Sequence, residues 1–454
     1  MILRPFAAAA LLFAALPPVP LYAQAVSQEE VEARYDRALA AGYKALFLCS
    51  AIANAEANGT SRTPESVMEW ELTGIQEPLS EIAPDLLYDI ERLEDGAIDY
   101  VAVTWARDMT PRIADHREGG GCSLLPPGME PTQAGGRAIG EPPRLAPIVM
   151  PEGVMADVVD QAFGDGYGEG ARTTAVLVRQ NDAFVAEAYA DDFGPTVPQR
   201  TWSVAKSIAA TLVGAAVHRG EADVTRSAGL GESDSDPRRV ITIDHLLRMA
   251  SGRYSDTLGN RTDPLYFGGS TVEETALHWP LLEAPGSVYR YANNDTLAAV
   301  MAIDATFDDH PPAQFFDRLG MTSTVAETDW QGDYILSSQV WSTARDLSLL
   351  GQLYLDDGVL PTGVRILPEG WADYVSAPSG PQPDRPFGYG AGFWLFNDSE
   401  GVPPDTFAAM GNRGQYVVIV PSRDVVIVRR GEDPVGSRFD IGAFTRDVLA
   451  ALDD

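Results

Sequence analysis

Lysine is nearly absent from this chain. Its 33 basic residues are arginine with two exceptions, Lys44 and Lys206. An arginine cannot shed its proton inside a protein, whereas a desolvated lysine can, so a side-chain amine able to act as a base is available at these two positions only. Histidine is scarce as well. None of the 5 histidines stands beside a cysteine or in a His-Glu-x-x-His arrangement, so the usual zinc patterns are excluded and no metal or cofactor is expected. Positive charge is in short supply: 33 Lys and Arg face 65 Asp and Glu, for a formal net charge of −32. That balance excludes nucleic acid as a partner, because phosphate binding needs a basic face, and it excludes docking on an anionic membrane. The acidity reads as a solubilising surface. After the first 25 residues no run reads as long and apolar enough to span a bilayer. A Gly-x-Ser-x-Gly elbow is also missing, which weighs against an α/β-hydrolase.

What is present is a globular composition, 45% hydrophobic and 22% charged over 454 residues, enough for one large or two ordinary domains. Residues 1–25 hold Arg4, an apolar run from Phe6 to about Leu16, and Ala23-Gln24-Ala25. That is the build of a secretory signal peptide, so the mature protein is expected to be exported, periplasmic and without a membrane span. Residues 26–118 read as a mainly helical N-terminal region, opened by a Ser27–Glu30 capping box and a helix to about Ala57. Residues 119–153, rich in glycine and proline, read as a linker. Cys49 and Cys122 are an even pair in an oxidising compartment, which suggests a disulfide; two buried free thiols are the alternative.

Residues 154–454 form the main body. Two β-rich runs surround Gln180-Asn181-Asp182 and predict a hairpin. An apolar helix follows Ser203 and stops at Gly220, and the chain is then mainly helical and loop-rich to about residue 385. Strands return in YGAGFWLF, GQYVVIV and DVVIVRRG, and an amphipathic helix closes the chain. The expected fold class is mixed α/β of the α+β type. An antiparallel sheet completed by both ends of the body is flanked by helices, with a mostly α-helical region inserted.

Residues three apart share a helix face, so Ser203 and Lys206 can touch. Val204, Ala205, Ile208, Ala209, Ala210, Leu212 and Val213 make their helix apolar nearly all round, hence buried. Burial penalises an ammonium ion, so Lys206 can offer a neutral amine to the serine proton. A serine at a helix start also lies among backbone N–H groups suited to an oxyanion. An accidental Ser-x-x-Lys is the plain alternative. Tyr291 and Asn293 come next: a tyrosine held by cations can act as a general base, and the asparagine can hydrogen-bond a substrate carbonyl or amide. An ordinary Asn-rich loop would look the same. The third candidate is Gly411-Asn412-Arg413-Gly414-Gln415 before a strand. Its first glycine lets backbone approach a substrate and the next N–H can complete an oxyanion hole, although a hairpin turn fits too. Gly166–Ala171 matches the loose dinucleotide pattern, but helix before and strand after reverse the Rossmann order. Asn58, Asn260 and Asn294 head Asn-x-Ser/Thr sequons.

Order and spacing join the three candidates. A buried Ser-x-x-Lys, a Tyr-x-Asn about ninety residues later and a Gly-led strand near the C-terminus resemble the class C β-lactamase and penicillin-recognising serine hydrolase family. ITIDHLLRMASG looks like the family's helix-then-Ser-Gly element, and Pro285-Gly286 precedes the tyrosine as in that family. The resemblance spans about residues 150–454 and looks most like the 6-aminohexanoate-dimer hydrolase and esterase branch, whose members show a similar Gly-x-x-Gly-Gln. It implies Ser203 as the acylated nucleophile, Lys206 and Tyr291 as a proton-handling pair, and Asn293 as a substrate-positioning group. Gly411 would admit the substrate, and the N–H groups of Ser203 and Asn412 would form the oxyanion hole. One departure stands out: where β-lactamases carry Lys-Thr-Gly to hold the substrate carboxylate, this chain has Ala409-Met410-Gly411. Arg413 is the nearby cation that could swing in to replace the lysine. The expected function is thus an exported serine hydrolase acting on a small-molecule amide or ester through an acyl-enzyme. A β-lactamase or D,D-peptidase, and a non-catalytic ligand-binding relative, are the alternatives. Retention of lysine at position 206 argues against the last.

Overall fold

The fold is that of a computed structural model describing residues 26–132, 135–255, 262–384 and 386–453; the signal segment 1–25 and the Asn260 sequon lie outside the described residues. Ser27 caps helix α1 (Gln28–Ala57) by accepting from the Glu30 N–H, and the Glu30 carboxylate accepts from the Ser27 N–H in return. From Ala38 onward α1 is rich in alanine and apolar nearly all round, and it is buried all round. Contrary to the expectation of no such run after residue 25, α1 is long and apolar enough to cross a membrane by length and composition. Its apolar stretch is wholly buried within the protein.

The N-terminal region carries a small sheet beside its helices. After α1, strands β1 (Tyr88–Arg92), β2 (Ile98–Val103), β3 (Arg112–Arg117) and β4 (Gly121–Leu124) form an antiparallel sheet in that order. β4 occupies the start of the segment expected as linker. Val101, Val103 and Ala114 pack under α1; on the opposite face Asp89 and Glu91 of β1 stay in solvent, while β3 is buried on both faces from Arg112 to His116 and β4 throughout. Cys49 of α1 and Cys122 of β4 are joined in a disulfide. Beside it the buried Glu327 carboxylate accepts from Ser50 Oγ at 2.6 Å and from the Cys122 N–H at 3.1 Å, tying both to the main body.

In the body, β5 (Thr173–Gln180) and β6 (Ala183–Tyr189) form the expected hairpin. Its turn residues Asn181 and Asp182 take φ of 48° and 62°, the left-handed pair that a two-residue hairpin turn needs. β7 (Gln199–Arg200), β8 (Val325–Ala326) and β9 (Val340–Ser342) make a small sheet of order β7-β9-β8. β10 (Gly388–Tyr389), β11 (Trp394–Leu395), β12 (Phe407–Gly411), β13 (Gln415–Val420) and β14 (Val425–Gly431) return to the hairpin. The result is a seven-stranded antiparallel sheet, β10-β11-β12-β13-β14-β5-β6, completed by both ends of the body as expected.

Alternate residues of these strands serve different layers. Val176, Val418 and Ile427 face helices α2 (Gly153–Phe163) and α6 (Ile441–Ala451). Leu177, Val417 and Val428 face α3 (Val204–Arg219) and α5 (Ala344–Leu355), while α4 (Asn293–Met301) packs on α3 from the inserted region. A further core joins the two parts of the chain: Tyr43 and Phe47 of α1 pack with Trp202, Phe267, Leu297 and Trp341. The sequon residues Asn58 and Asn294 are buried, each donating from Nδ2 to a backbone carbonyl, of Thr196 and Tyr254 respectively. Gly166–Ala171 connects α2 to β5, the helix-to-strand order read from the sequence.

Candidate active site

Ser203 is the N-cap of α3. A serine there ordinarily accepts a bond from an N–H of the first helical turn. Ser203 makes no such bond. Its Oγ lies 3.0 Å from Nζ of Lys206, one turn along the helix. Trp202, just before it, adopts a left-handed φ of 50°, uncommon for a bulky residue.

Lys206 is fully buried, and its Nζ has two further neighbours, Asn293 Oδ1 at 2.6 Å and the Ser337 carbonyl at 2.8 Å. None of the three acceptors is a carboxylate. Burial without a countercharge pushes the amine down to about 7, so a large fraction is neutral near neutral pH. Lys44 is buried in another way. Its Nζ donates to the carbonyls of Ala83, Pro84 and Leu86 at 3.0, 3.2 and 2.7 Å, tying α1 to the turn before β1.

Tyr291 meets Lys206 through its ring, whose centroid is 5.0 Å from Nζ. Trp394 and Tyr389 pack on the same ring at 5.4 and 6.0 Å. Asn293 starts α4 and bridges, accepting from Lys206 and donating from Nδ2 to Thr262 Oγ1 at 3.0 Å. Its amide is therefore turned toward the lysine. The structure thus brings together Ser203, Lys206, Tyr291 and Asn293. It adds residues the sequence did not mark: the Ser337 carbonyl and, behind it, the Tyr266 hydroxyl 2.6 Å from Ser337 Oγ. Neither belongs to a local pattern, since both come from loop-rich chain brought in by the fold.

Gly411 ends β12 against the nucleophile segment. A Cβ on it would lie 2.4 Å from the Thr201 carbonyl and 3.1 Å from the Ser203 nitrogen, so only glycine lets the strand come this close. The exposed Asn412 follows directly in the chain. Ala409 is buried on the face toward α3, and Met410 turns to the opposite layer. Arg413 does not replace the missing lysine. Its guanidinium is buried, donating from Nη2 to the carbonyls of Trp70, Thr73 and Glu432 at 2.9, 2.7 and 3.1 Å, and its Nε pairs with the Glu432 carboxylate at 2.8 Å. Gln415 is structural: its Oε1 accepts from Arg430 Nε at 2.6 Å and its Nε2 donates to the Gly431 carbonyl.

A family model described as Beta-lactamase matches residues 159–449. The chain belongs to the β-lactamase family. A 6-aminohexanoate-dimer hydrolase of Paenarthrobacter ureafaciens is 24% identical over 291 residues, covering 58% of this chain and 73% of that one. A solved Bacillus anthracis structure assigned as a 6-aminohexanoate-dimer hydrolase shares the fold with a TM-score of 0.55 at 20% identity, over 65% of this chain and 80% of its own. One from Bacteroides dorei, assigned as a β-lactamase, does so at 0.54 and 18%, over 65% and 97%. This β-lactamase-family chain is thus a serine hydrolase by descent, with the fold class expected of it. Its helix α1 and N-terminal sheet lie outside the matched span.

Proposed function

We propose that this protein is an exported serine hydrolase that cleaves an ester or amide through a Ser203 acyl-enzyme. The observation that carries the reading is the 3.0 Å approach of Lys206 Nζ to a Ser203 hydroxyl excused from capping its helix. Lys206, poised near 7, takes the serine proton as Oγ attacks the substrate carbonyl carbon. The oxyanion is received by the N–H groups of Ser203 and Asn412, with Gly411 admitting the substrate between them. Lys206 and Tyr291 return the proton to the leaving group, and the same pair activates the water that frees the acid. Asn293 orients Lys206 and, by the family resemblance, the substrate. A purely ligand-binding relative would have no use for a buried amine, pushed down to about 7, at this hydroxyl.

Substrate choice follows from β12. Ala409 and Met410 offer no cation or hydroxyl, and Arg413 is held elsewhere, which favours substrates without the carboxylate of a β-lactam. The acyl-transfer chemistry of a β-lactamase is retained; its carboxylate grip is not. Export is supported by the leader-like first 25 residues and by the disulfide, which suits an oxidising compartment. The test is intact-mass labelling with a fluorophosphonate, followed by peptide mapping. One adduct on the peptide containing Ser203, absent in Ser203→Ala, is expected; labelling that survives Ser203→Ala rejects the assignment.

A further inference from the structure

Both amides assigned to the oxyanion hole adjoin a large residue in a left-handed backbone conformation. Trp202, φ 50°, precedes Ser203, and Arg413, φ 56°, follows Asn412. Neither is a glycine or asparagine, so each conformation must be imposed from outside the turn. The N-terminal region takes part in both cases, for Arg413 together with Glu432 of the body, whose carboxylate lies 2.8 Å from Arg413 Nε. The Trp202 ring packs 6.0 Å from that of Phe47 on α1 and 4.3 Å from the guanidinium of Arg200, which lies 5.1 Å from the same Phe47 ring. Arg413 reaches the carbonyls of Trp70 and Thr73, at the end of the short helix Pro64–Trp70 and just beyond it.

That docking segment is itself firmly held. Arg62 and Glu71 form a buried two-bonded pair at 3.0 and 2.8 Å, Arg172 stacks 4.4 Å over Trp70, and the Val435 N–H donates to the Gly74 carbonyl at 2.8 Å. On the other side of the turn Gly414 has no room for a Cβ, which would lie 1.7 Å from Arg429 Nη1. The Asn412–Gly414 turn is thus clamped between β14 and the N-terminal region.

We propose that the N-terminal region is a positioning element for the oxyanion hole, acting through Trp202 on the Ser203 amide and through Arg413 on the Asn412 amide. The inference rests on the oxyanion assignment made above and adds a role for the part of the chain outside the family match. Trp202 and Arg413 are positioning residues, since neither is assigned a contact with substrate. Their loss should weaken binding of the tetrahedral state while leaving ground-state binding in place.

The experiment uses full-length protein and counts competent sites by fluorophosphonate titration, so that misfolded molecules are not scored. Per titrated site, Arg413→Gln should lower kcat for p-nitrophenyl acetate by roughly 10–100-fold with KM changed by less than about threefold. Inhibition by phenylboronic acid, which mimics the tetrahedral state, should weaken by a similar factor. Trp202→Leu should act in the same direction, and Arg413→Lys should recover part of the loss because an ammonium can still reach one carbonyl. Should Arg413→Gln not fold, the other two variants decide. Wild-type kcat and boronate affinity per titrated site in these variants, whatever their thermal stability, would overturn the proposal and leave the Ser203 assignment standing. Failure of the wild type to label at Ser203 would overturn both.

Discussion

The amine of Lys206 sits 3.0 Å from the hydroxyl of Ser203, and no carboxylate is among its three hydrogen-bond partners. An arginine in the same place would keep its charge and could not receive the serine proton. Lys206→Arg is therefore expected to slow acylation by on the order of 10²–10⁴ or more, measured by stopped-flow with an activated ester. Near-normal turnover would mean that the proton goes elsewhere.

The pH profile should report the same amine. With Lys206 pushed down to about 7, kcat/KM rises with pH and levels off above that value. Stability moves in the same direction. An unfolded lysine keeps its proton up to its ordinary value of 10.5, so between about 7 and 10.5 the unfolded chain binds more protons than the folded one. The Lys206 contribution to stability is therefore complete above that window and lost as pH falls through about 7. Denaturant titrations at pH 7 and pH 9 should show this slope in the wild type and a smaller one in Lys206→Met. A flat rate profile from pH 6 to 8 would contradict the assignment.

Gly411→Ala tests the oxyanion geometry from the opposite strand. The added methyl would meet the Thr201 carbonyl at 2.4 Å, so β12 must retreat from Ser203. Removing one oxyanion donor typically costs about 10²–10³ in kcat, and a displaced Asn412 amide should approach that loss. Steady-state ester kinetics give the answer, and an unaffected kcat would show that Asn412 is not a donor.

Substrate preference should favour p-nitrophenyl acyl esters, and linear amides with a free amine, over penicillins and cephalosporins. A lost charge-assisted hydrogen bond weakens recognition by about 1.5–3 kcal/mol, one to two orders of magnitude, and the burial of Arg413 removes the nearby substitute. A higher kcat/KM for a cephalosporin than for short-chain esters would reverse the reading.

The Cys49–Cys122 disulfide spans 73 residues, and cross-links of that length typically stabilise by about 2–4 kcal/mol. The Cys49→Ala/Cys122→Ala double variant should lose that much in chemical denaturation, and equal stability in the two forms would contradict it.

Much of this was legible in the sequence where a local rule sufficed. The Ser27–Glu30 cap, the Asn181-Asp182 turn, the all-round apolar helix after Ser203 and the Ser203–Lys206 spacing are properties of short windows. The N-terminal sheet escaped because its outer face is charged and its strands are short, so alternation is diluted by Asp, Glu and Arg. The path of Arg413 was not readable at all. Its acceptors, the carbonyls of Trp70 and Thr73, lie 343 and 340 residues away in the chain, and no side-chain pattern announces a backbone carbonyl.

The guanidinium of Arg200 lies 5.1, 4.3, 5.3 and 5.7 Å from the rings of Phe47, Trp202, Tyr266 and Phe267, and one of these rings comes from outside the matched family span. A chain trimmed to the family boundary would uncover that ring cluster together with an arginine, a surface prone to aggregate. Domain shuffling near residue 150 is therefore a closed route for this protein, because neither fragment carries a finished exterior. Lesions in α1 should then behave genetically as lesions of the enzyme, indistinguishable in kind from damage to the hydrolase fold itself.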